Sequence, residues 1–248
     1  MHILIAEDNQ VNLLVASRLL DKLGHSSVGV PDGSQALEAL ERGHFDLLLL
    51  DVSMPVLDGL ETAKAVRARN LDIPIVLLTA FSDPETRAQA KAVGVDLFLD
   101  KPLDKESLRR VMDQVTTDKA PDVSGLLSLQ QQSDRLIDLD QVRRRFFDDL
   151  TLLREVYGMY MQDAPQRLRT VQESLAAGNT ADAGKAAHSL KGISGSVGST
   201  RLSEAAQVVE KAGRADDLAA AREAFPLVET LLEQTINEIR DILSCLPA

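Results

Sequence analysis

The chain has 248 residues, 44% hydrophobic and 26% charged, with a formal net charge of −11, which suits one large or two small soluble domains. Aromatic residues make up 3% with no tryptophan, and both halves are mildly acidic (18 acids to 12 bases over 1–117, 17 to 13 over 138–248), which argues against carbohydrate recognition, single-strand stacking and nucleic-acid binding by charge neutralisation. The single cysteine, Cys245, rules out an internal disulfide and fits a reducing, cytoplasmic compartment, no apolar run approaches a membrane span, and "MHILIAEDN" is too short an apolar run for a signal peptide.

Residues 1–117 alternate short apolar runs with amphipathic stretches. The runs are "HILIA" (2–6), "SSVGV" (26–30), "DLLLL" (46–50), "IPIVLLT" (73–79) and "VDLFLD" (95–100), and the helical patterns lie near 10–23, 33–42, 59–68, 84–93 and 104–116. This α/β rhythm predicts a mostly parallel sheet covered on both faces, with ligands beyond the carboxyl ends of its strands. The start of the chain inside a strand pattern fits either a natural start or a cut from a longer chain.

Over 118–137 the rhythm fails. "TTDKAPDVSG" reads as a linker, and "LLSLQQQSDRL" as a short helix or an irregular tether. Residues 138–248 show helical spacing. One stripe runs Leu153, Val156, Tyr160, Ala164, Leu168, Val171, Leu175. A second runs Leu202, Ala205, Val209, Ala212, and a third Val228, Leu231, Thr235, Ile239, Ile242. An all-α helical bundle follows. The predicted organisation is therefore 1–117, a linker at 118–137, and 138–248.

Three acids fall at strand ends: Glu7 and Asp8 after the first run, Asp51 after the third. Adjacent first and third strands bring all three to one edge, where carboxylates repel. A hard divalent cation, magnesium or manganese, relieves this. Thr79 ends the fourth run and Lys101 follows the fifth. Together these groups suit a transferring phosphoryl group, with Asp51 as nucleophile forming an acyl phosphate. Each residue alone has a structural reading; the pattern rests on all five lying at the carboxyl ends of the correct strands.

"AEDN", "LLLLDVSMPVLDG", "VLLTA" and "FLDKP" resemble the receiver domain of two-component response regulators, particularly the receivers of hybrid sensor kinases. The resemblance implies strand order 2-1-3-4-5 and phosphorylation on Asp51. It implies Mg²⁺ held by Asp8, Asp51 and the backbone carbonyl of Ser53, with Glu7 acting through water. Lys101 would pair with the phosphoryl group, and Thr79 and Phe98 match the switch pair. A cis Lys101–Pro102 bond is also expected by this analogy. Ser53 is smaller than the glutamine or methionine often found there, a position that influences water access to the acyl phosphate.

The stretch "AHSLKGISGSVG" (187–198) carries three glycines in a helical context, each costing up to about 1 kcal/mol against alanine. On a helical wheel Ala183, Ala186, Ala187, Leu190, Ile193 and Val197 gather on the buried side. His188 lies opposite, beside Gly184, Lys185, Lys191, Gly192, Gly195 and Ser199. The glycines would clear ground for a partner's carboxylate to approach the imidazole, and Lys191 could steady phosphoryl oxygens. Spacing alone leaves open an incidental surface histidine near a helix end. A phosphate-binding loop is disfavoured, since "GISGSVG" follows no strand and lacks the G-x-G-x-x-G order.

"AHSLKG", preceded by a long helix and "AAGNTADAGKAA" and followed by "RLSEAAQVVE", resembles the histidine phosphotransfer (HPt) domain. That resemblance implies a four-helix-bundle type fold with His188 as an exposed phosphorylation site. The expected function is a phosphorelay intermediate that accepts a phosphoryl group on Asp51 from a sensor histidine kinase and exchanges it with His188 for a downstream receiver. Transfer within one chain is expected, since about 20 flexible residues span roughly 25 Å. No ATP-binding kinase region is recognised. Two alternatives differ in class: a phosphorylation-controlled binding or self-association switch, and a magnesium-dependent aspartyl phosphohydrolase, against which Ser53 counts because such enzymes often place a second acid there.

Overall fold

The computed structural model describes residues 1–79, 84–117, 136–146 and 148–246. The chain divides into two compact units, Met1–Gln130 and Gln131–Ala248. Most of the expected linker, residues 118–135, lies outside the described residues.

The first unit alternates β1 (His2–Ala6), α1 (Gln10–Lys22), β2 (Ser26–Val30), α2 (Gly33–Arg42), β3 (Leu47–Asp51), α3 (Gly59–Ala68), β4 (Ile75–Thr79), α4 (Pro84–Ala92), β5 (Leu97–Asp100) and α5 (Lys105–Thr117). The five strands form one parallel sheet in the order β2-β1-β3-β4-β5. β3 and β4 are buried at every position, as interior strands with helices on both faces must be. β2 is an edge strand and is mostly exposed or half-buried. Asn9, Asp32 and Asp58 start α1, α2 and α3 by accepting hydrogen bonds from the free first-turn amides.

Register decides what meets at the carboxyl edge. Ala6 pairs with Leu50, Asp51 with Leu78, and Thr79 with Asp100. Gly59 opens α3 so close to the end of β3 that a Cβ there would lie 2.2 Å from the Asp51 carbonyl oxygen, so only glycine lets the helix start at that point. In the intervening loop Val56 adopts φ +66° between Pro55 and Leu57, whose carbonyl and amide are 2.7 Å apart. A β-branched residue is strained there.

The second unit is all helix: α6 (Leu139–Arg145), α7 (Leu150–Ala176), α8 (Thr180–Ser196), α9 (Thr200–Arg214) and α10 (Leu218–Cys245). α7, α8, α9 and α10 pack in sequence and α10 returns against α7, closing a four-helix bundle. The three predicted stripes form its core, with Leu168 and Ile242 only half-buried. The short helix α6 is an element the spacing did not reveal. Its Arg145 is buried and donates from Nη1 to the carbonyls of Gly195 and Ser196, both at 3.0 Å, capping the glycine-rich end of α8. Among the described residues no helix is long and apolar enough to cross a membrane.

Candidate functional site

The carboxyl edge of the sheet gathers Glu7, Asp8 and Asp51, each offering an oxygen within 4.8 Å of the others. Glu7 and Asp51 are buried and Asp8 is half-buried. Lys101 reaches both buried acids, its Nζ lying 2.5 Å from Glu7 Oε2 and 2.9 Å from Asp51 Oδ1. The other Glu7 oxygen accepts from Asn12 Nδ2 at 3.1 Å and from the Asn9 amide at 3.3 Å, so the first turn of α1 orients that carboxylate.

The electrostatics follow from burial and crowding. Burial first, and then the neighbouring Glu7 charge, push the Asp51 carboxyl up to about 7 against the opposing pull of Lys101. Burial would lower the Lys101 ammonium, but Asp51 and Glu7 together hold it above its usual range. Three carboxylates facing one ammonium leave a net negative cluster of hard oxygens. That donor set fits a divalent cation such as Mg²⁺.

The remaining sequence-predicted residues lie nearby. Ser53 is half-buried in the loop after Asp51. The Lys101–Pro102 bond is cis, and the Lys101 amide donates to the Thr79 carbonyl at 2.6 Å. Thr79 is buried, and its hydroxyl donates to Asp100 Oδ1 at 3.2 Å. Phe98 packs half-buried against the sheet's core, with the Arg87 guanidinium 5.1 Å from its ring centroid.

The second constellation is built on α8 and α9. His188 Nδ1 lies 2.8 Å from Glu210 Oε1. A carboxylate with the charge it carries here can only accept, so Nδ1 bears a proton, and in the neutral ring Nε2 is the nitrogen left with a lone pair. Glu210 is 4% exposed in its side chain against 21% for His188. Its Oε2 accepts from Lys191 Nζ at 2.6 Å and its Oε1 from Arg214 Nη2 at 2.6 Å. Burial alone would raise the Glu210 carboxyl, but the hydrogen bonds and charges of His188 and Lys191 hold it down at about 2.

Three predictions about the surroundings of His188 need correction, and the first concerns Ser199, which is buried with its hydroxyl 2.9 Å from Thr235 Oγ1. Lys191 is not on an open face; it is 5% exposed and bound to Glu210, because α9 covers the side of α8 that the wheel leaves to solvent. Gly184 is not a docking surface either. It is buried against α9, where a Cβ on Gly213 would come within 2.6 Å of the Gly184 Cα. The missing side chains let two backbones touch. Lys185 is exposed, while Gly192 and Gly195 are half-buried.

Glu210 and Arg214 were not anticipated from sequence. The available signal was an acid flanked on its helical face by Ala206 and Gly213, small residues that admit a neighbouring helix. Arg167 was also missed: it donates to Ser189, next to His188, and to Asp163 at 2.7 Å.

Comparisons with known proteins match a family to each of the two units. The family model for the response regulator receiver domain matches residues 3–113 and that for the Hpt domain matches 155–241. The chain is 28% identical over 219 residues to the sensor protein EvgS of Escherichia coli K12, covering 88% of this chain and 17% of that protein. It is 36% identical over 115 residues to the sensor protein GacS of Pseudomonas syringae pv. syringae, covering 44% of this chain and 13% of that one. The chain thus spans less than a fifth of the length of these relatives. Among solved structures, the receiver domain of the sensor histidine kinase PA1611 of Pseudomonas aeruginosa PAO1, with magnesium coordinated in its active-site cleft, is 34% identical over 47% of this chain and 98% of its own, at a TM-score of 0.44. The Vibrio cholerae chemotaxis protein CheY4 is 33% identical over 46% of this chain and 97% of its own, at a TM-score of 0.45. Residues 3–113 therefore belong to the response regulator receiver domain family and residues 155–241 to the Hpt domain family, joined in one chain.

Proposed function

We propose that the chain is a phosphorelay intermediate that accepts a phosphoryl group on Asp51 and exchanges it with an imidazole nitrogen of His188. The observation that carries this reading is the coexistence of a buried carboxylate beside an acid pair and Lys101 with a histidine whose Nδ1 is engaged by Glu210.

In the first step an Asp51 carboxylate oxygen attacks the phosphorus of a donor phosphohistidine. The N–P bond breaks, and its electron pair returns to the donor ring. Lys101 faces the charge that develops on the phosphoryl oxygens, and Thr79 supplies a hydroxyl at the adjoining strand end. Glu7, Asp8, Asp51 and the Ser53 carbonyl would hold Mg²⁺, which when bound offsets charge on the transferring group.

In the second step Nε2 of a His188 attacks the acyl phosphate. The O–P bond breaks and its electron pair returns to the Asp51 carboxylate. Glu210 holds the Nδ1 proton throughout and balances the positive charge that forms on the ring. Lys191 does not contact the phosphoryl group in this scheme; it fixes Glu210. The donor is a sensor histidine kinase and the final acceptor another receiver, in the cytoplasm. Asp51 and His188 of one chain exchange with each other.

Phosphotransfer profiling tests the reading. Labelled kinases are mixed with the wild-type chain, Asp51→Ala and His188→Ala. Label should reach Asp51 alone in His188→Ala and neither residue of Asp51→Ala. Full relay restored at every dilution by mixing the two variants overturns exchange within one chain. A mass change on acyl-phosphate mimicry without transfer to His188 indicates a self-association switch instead, and turnover of small phosphate esters a phosphohydrolase.

A further inference from the structure

Thr79 and Asp100 are register partners across β4 and β5, so their side chains emerge side by side at the carboxyl edge of the sheet. The Thr79 hydroxyl donates to Asp100 Oδ1 at 3.2 Å. The same Asp100 oxygen receives Arg87 Nη2 from α4 at 3.3 Å. Arg87 also lies over the ring of Phe98, two residues before Asp100 on β5. One carboxylate and one guanidinium therefore grip both Thr79 and Phe98.

A hydroxyl has one proton to donate. While Thr79 gives it to Asp100, none remains for a phosphoryl oxygen on Asp51. We propose that Asp100 and Arg87 form a latch that holds Thr79 in a resting position, from which phosphorylation of Asp51 must release it; the inference rests on Asp51 being the phosphoacceptor. Asp100 and Arg87 are positioning residues in this scheme, acting through Thr79 and Phe98. Two features make the latch releasable. The Asp100 side chain is 60% exposed and that of Arg87 33% exposed, so water weakens their ion pair. Arg87 Nε is buried with no hydrogen-bond partner among the described residues, a cost the resting arrangement bears and another arrangement can shed.

The test is the Mg²⁺-dependent affinity of the full chain for beryllofluoride, an acyl-phosphate mimic. Asp100→Ala and Arg87→Ala should each tighten beryllofluoride binding by about three- to tenfold. Asp100→Asn, which keeps an acceptor, should gain less. The affinity for Mg²⁺ alone should stay within about twofold, since neither group is among those that would hold the metal. In a Thr79→Val background the gain from Asp100→Ala should vanish. The arginine variant separates a latch from bulk charge: loss of a cation near an anion site would weaken binding, whereas loss of a latch strengthens it. Weaker binding in Arg87→Ala, or a gain in Asp100→Ala that persists with Thr79→Val, overturns the latch. Wild-type binding that no variant alters overturns the latch alone, whereas a wild-type chain that fails to bind beryllofluoride removes the phosphoacceptor reading and the latch with it.

Discussion

Nδ1 of His188 and Oε1 of Glu210 stand 2.8 Å apart on two different helices, and this contact selects the ring nitrogen that is left nucleophilic. In Glu210→Gln the amide can present either its oxygen or its NH₂ to Nδ1, so the tautomer is no longer dictated. Phosphotransfer to His188 should fall by about tenfold, read as the initial rate of labelling from a phosphorylated receiver. Nitrogen NMR of the ring should show the tautomer mixture directly.

The same carboxylate makes the chain acid-sensitive. Glu210 is held down at about 2 from an ordinary value of 4.5. Because the folded state lowers it, its contribution is complete above the ordinary value and is lost as pH falls toward the depressed one. The amount is roughly 3 kcal/mol. Urea unfolding of the wild-type chain should lose this increment below pH 4.5, and Glu210→Gln should lack that component of the slope.

Lys101→Ala leaves Glu7 and Asp51 buried without their shared cation. Destabilisation of about 3 kcal/mol is expected, with Asp51 phosphorylation falling by about 100-fold. Added Mg²⁺ should raise the melting temperature of this variant more than that of the wild type, since the metal then relieves more repulsion. Thermal unfolding with and without Mg²⁺ measures both effects.

Gly213→Ala touches neither His188 nor Glu210. Its new Cβ would meet Gly184 Cα at 2.6 Å and the Thr180 carbonyl at 2.7 Å, so α8 and α9 must part. A loss of about 2 kcal/mol is expected, together with slower transfer to His188 as Glu210 moves off Nδ1. Urea unfolding and transfer rates on one preparation test the coupling.

Val56→Gly should stabilise the chain by about 1 kcal/mol, because glycine relieves the φ of +66° at a side chain that is 84% exposed. Mg²⁺ affinity should not change. The urea midpoint and a metal titration check the two statements.

The receiver fold was legible because interior parallel strands must be apolar along their whole length, and "LLLLD" and "IVLLT" are. Acids and a lysine at the ends of such runs have one edge on which to meet, so Glu7, Asp8, Asp51 and Lys101 could be grouped from spacing. The cradle of His188 was less legible. A helical wheel treats α8 as alone, and it turns Lys191 and Gly184 outward with the histidine. The contact between Gly184 and Gly213 instead lets α9 cover that flank, so the lysine stem lies under α9 and ends on Glu210. Asp100 and Arg87 escaped notice for a related reason: only the pairing of β4 with β5 puts an acid beside the Thr79 hydroxyl.

The guanidinium of Arg145 joins α6 to the final carbonyls of α8, and α6 is the first helix described after residue 135. α6 thereby becomes a handle on the helix that carries His188. Removing that guanidinium would withdraw two hydrogen bonds from the last turn of that helix, so the anchorage of its glycine-rich end is lent by a residue about fifty positions earlier in the chain.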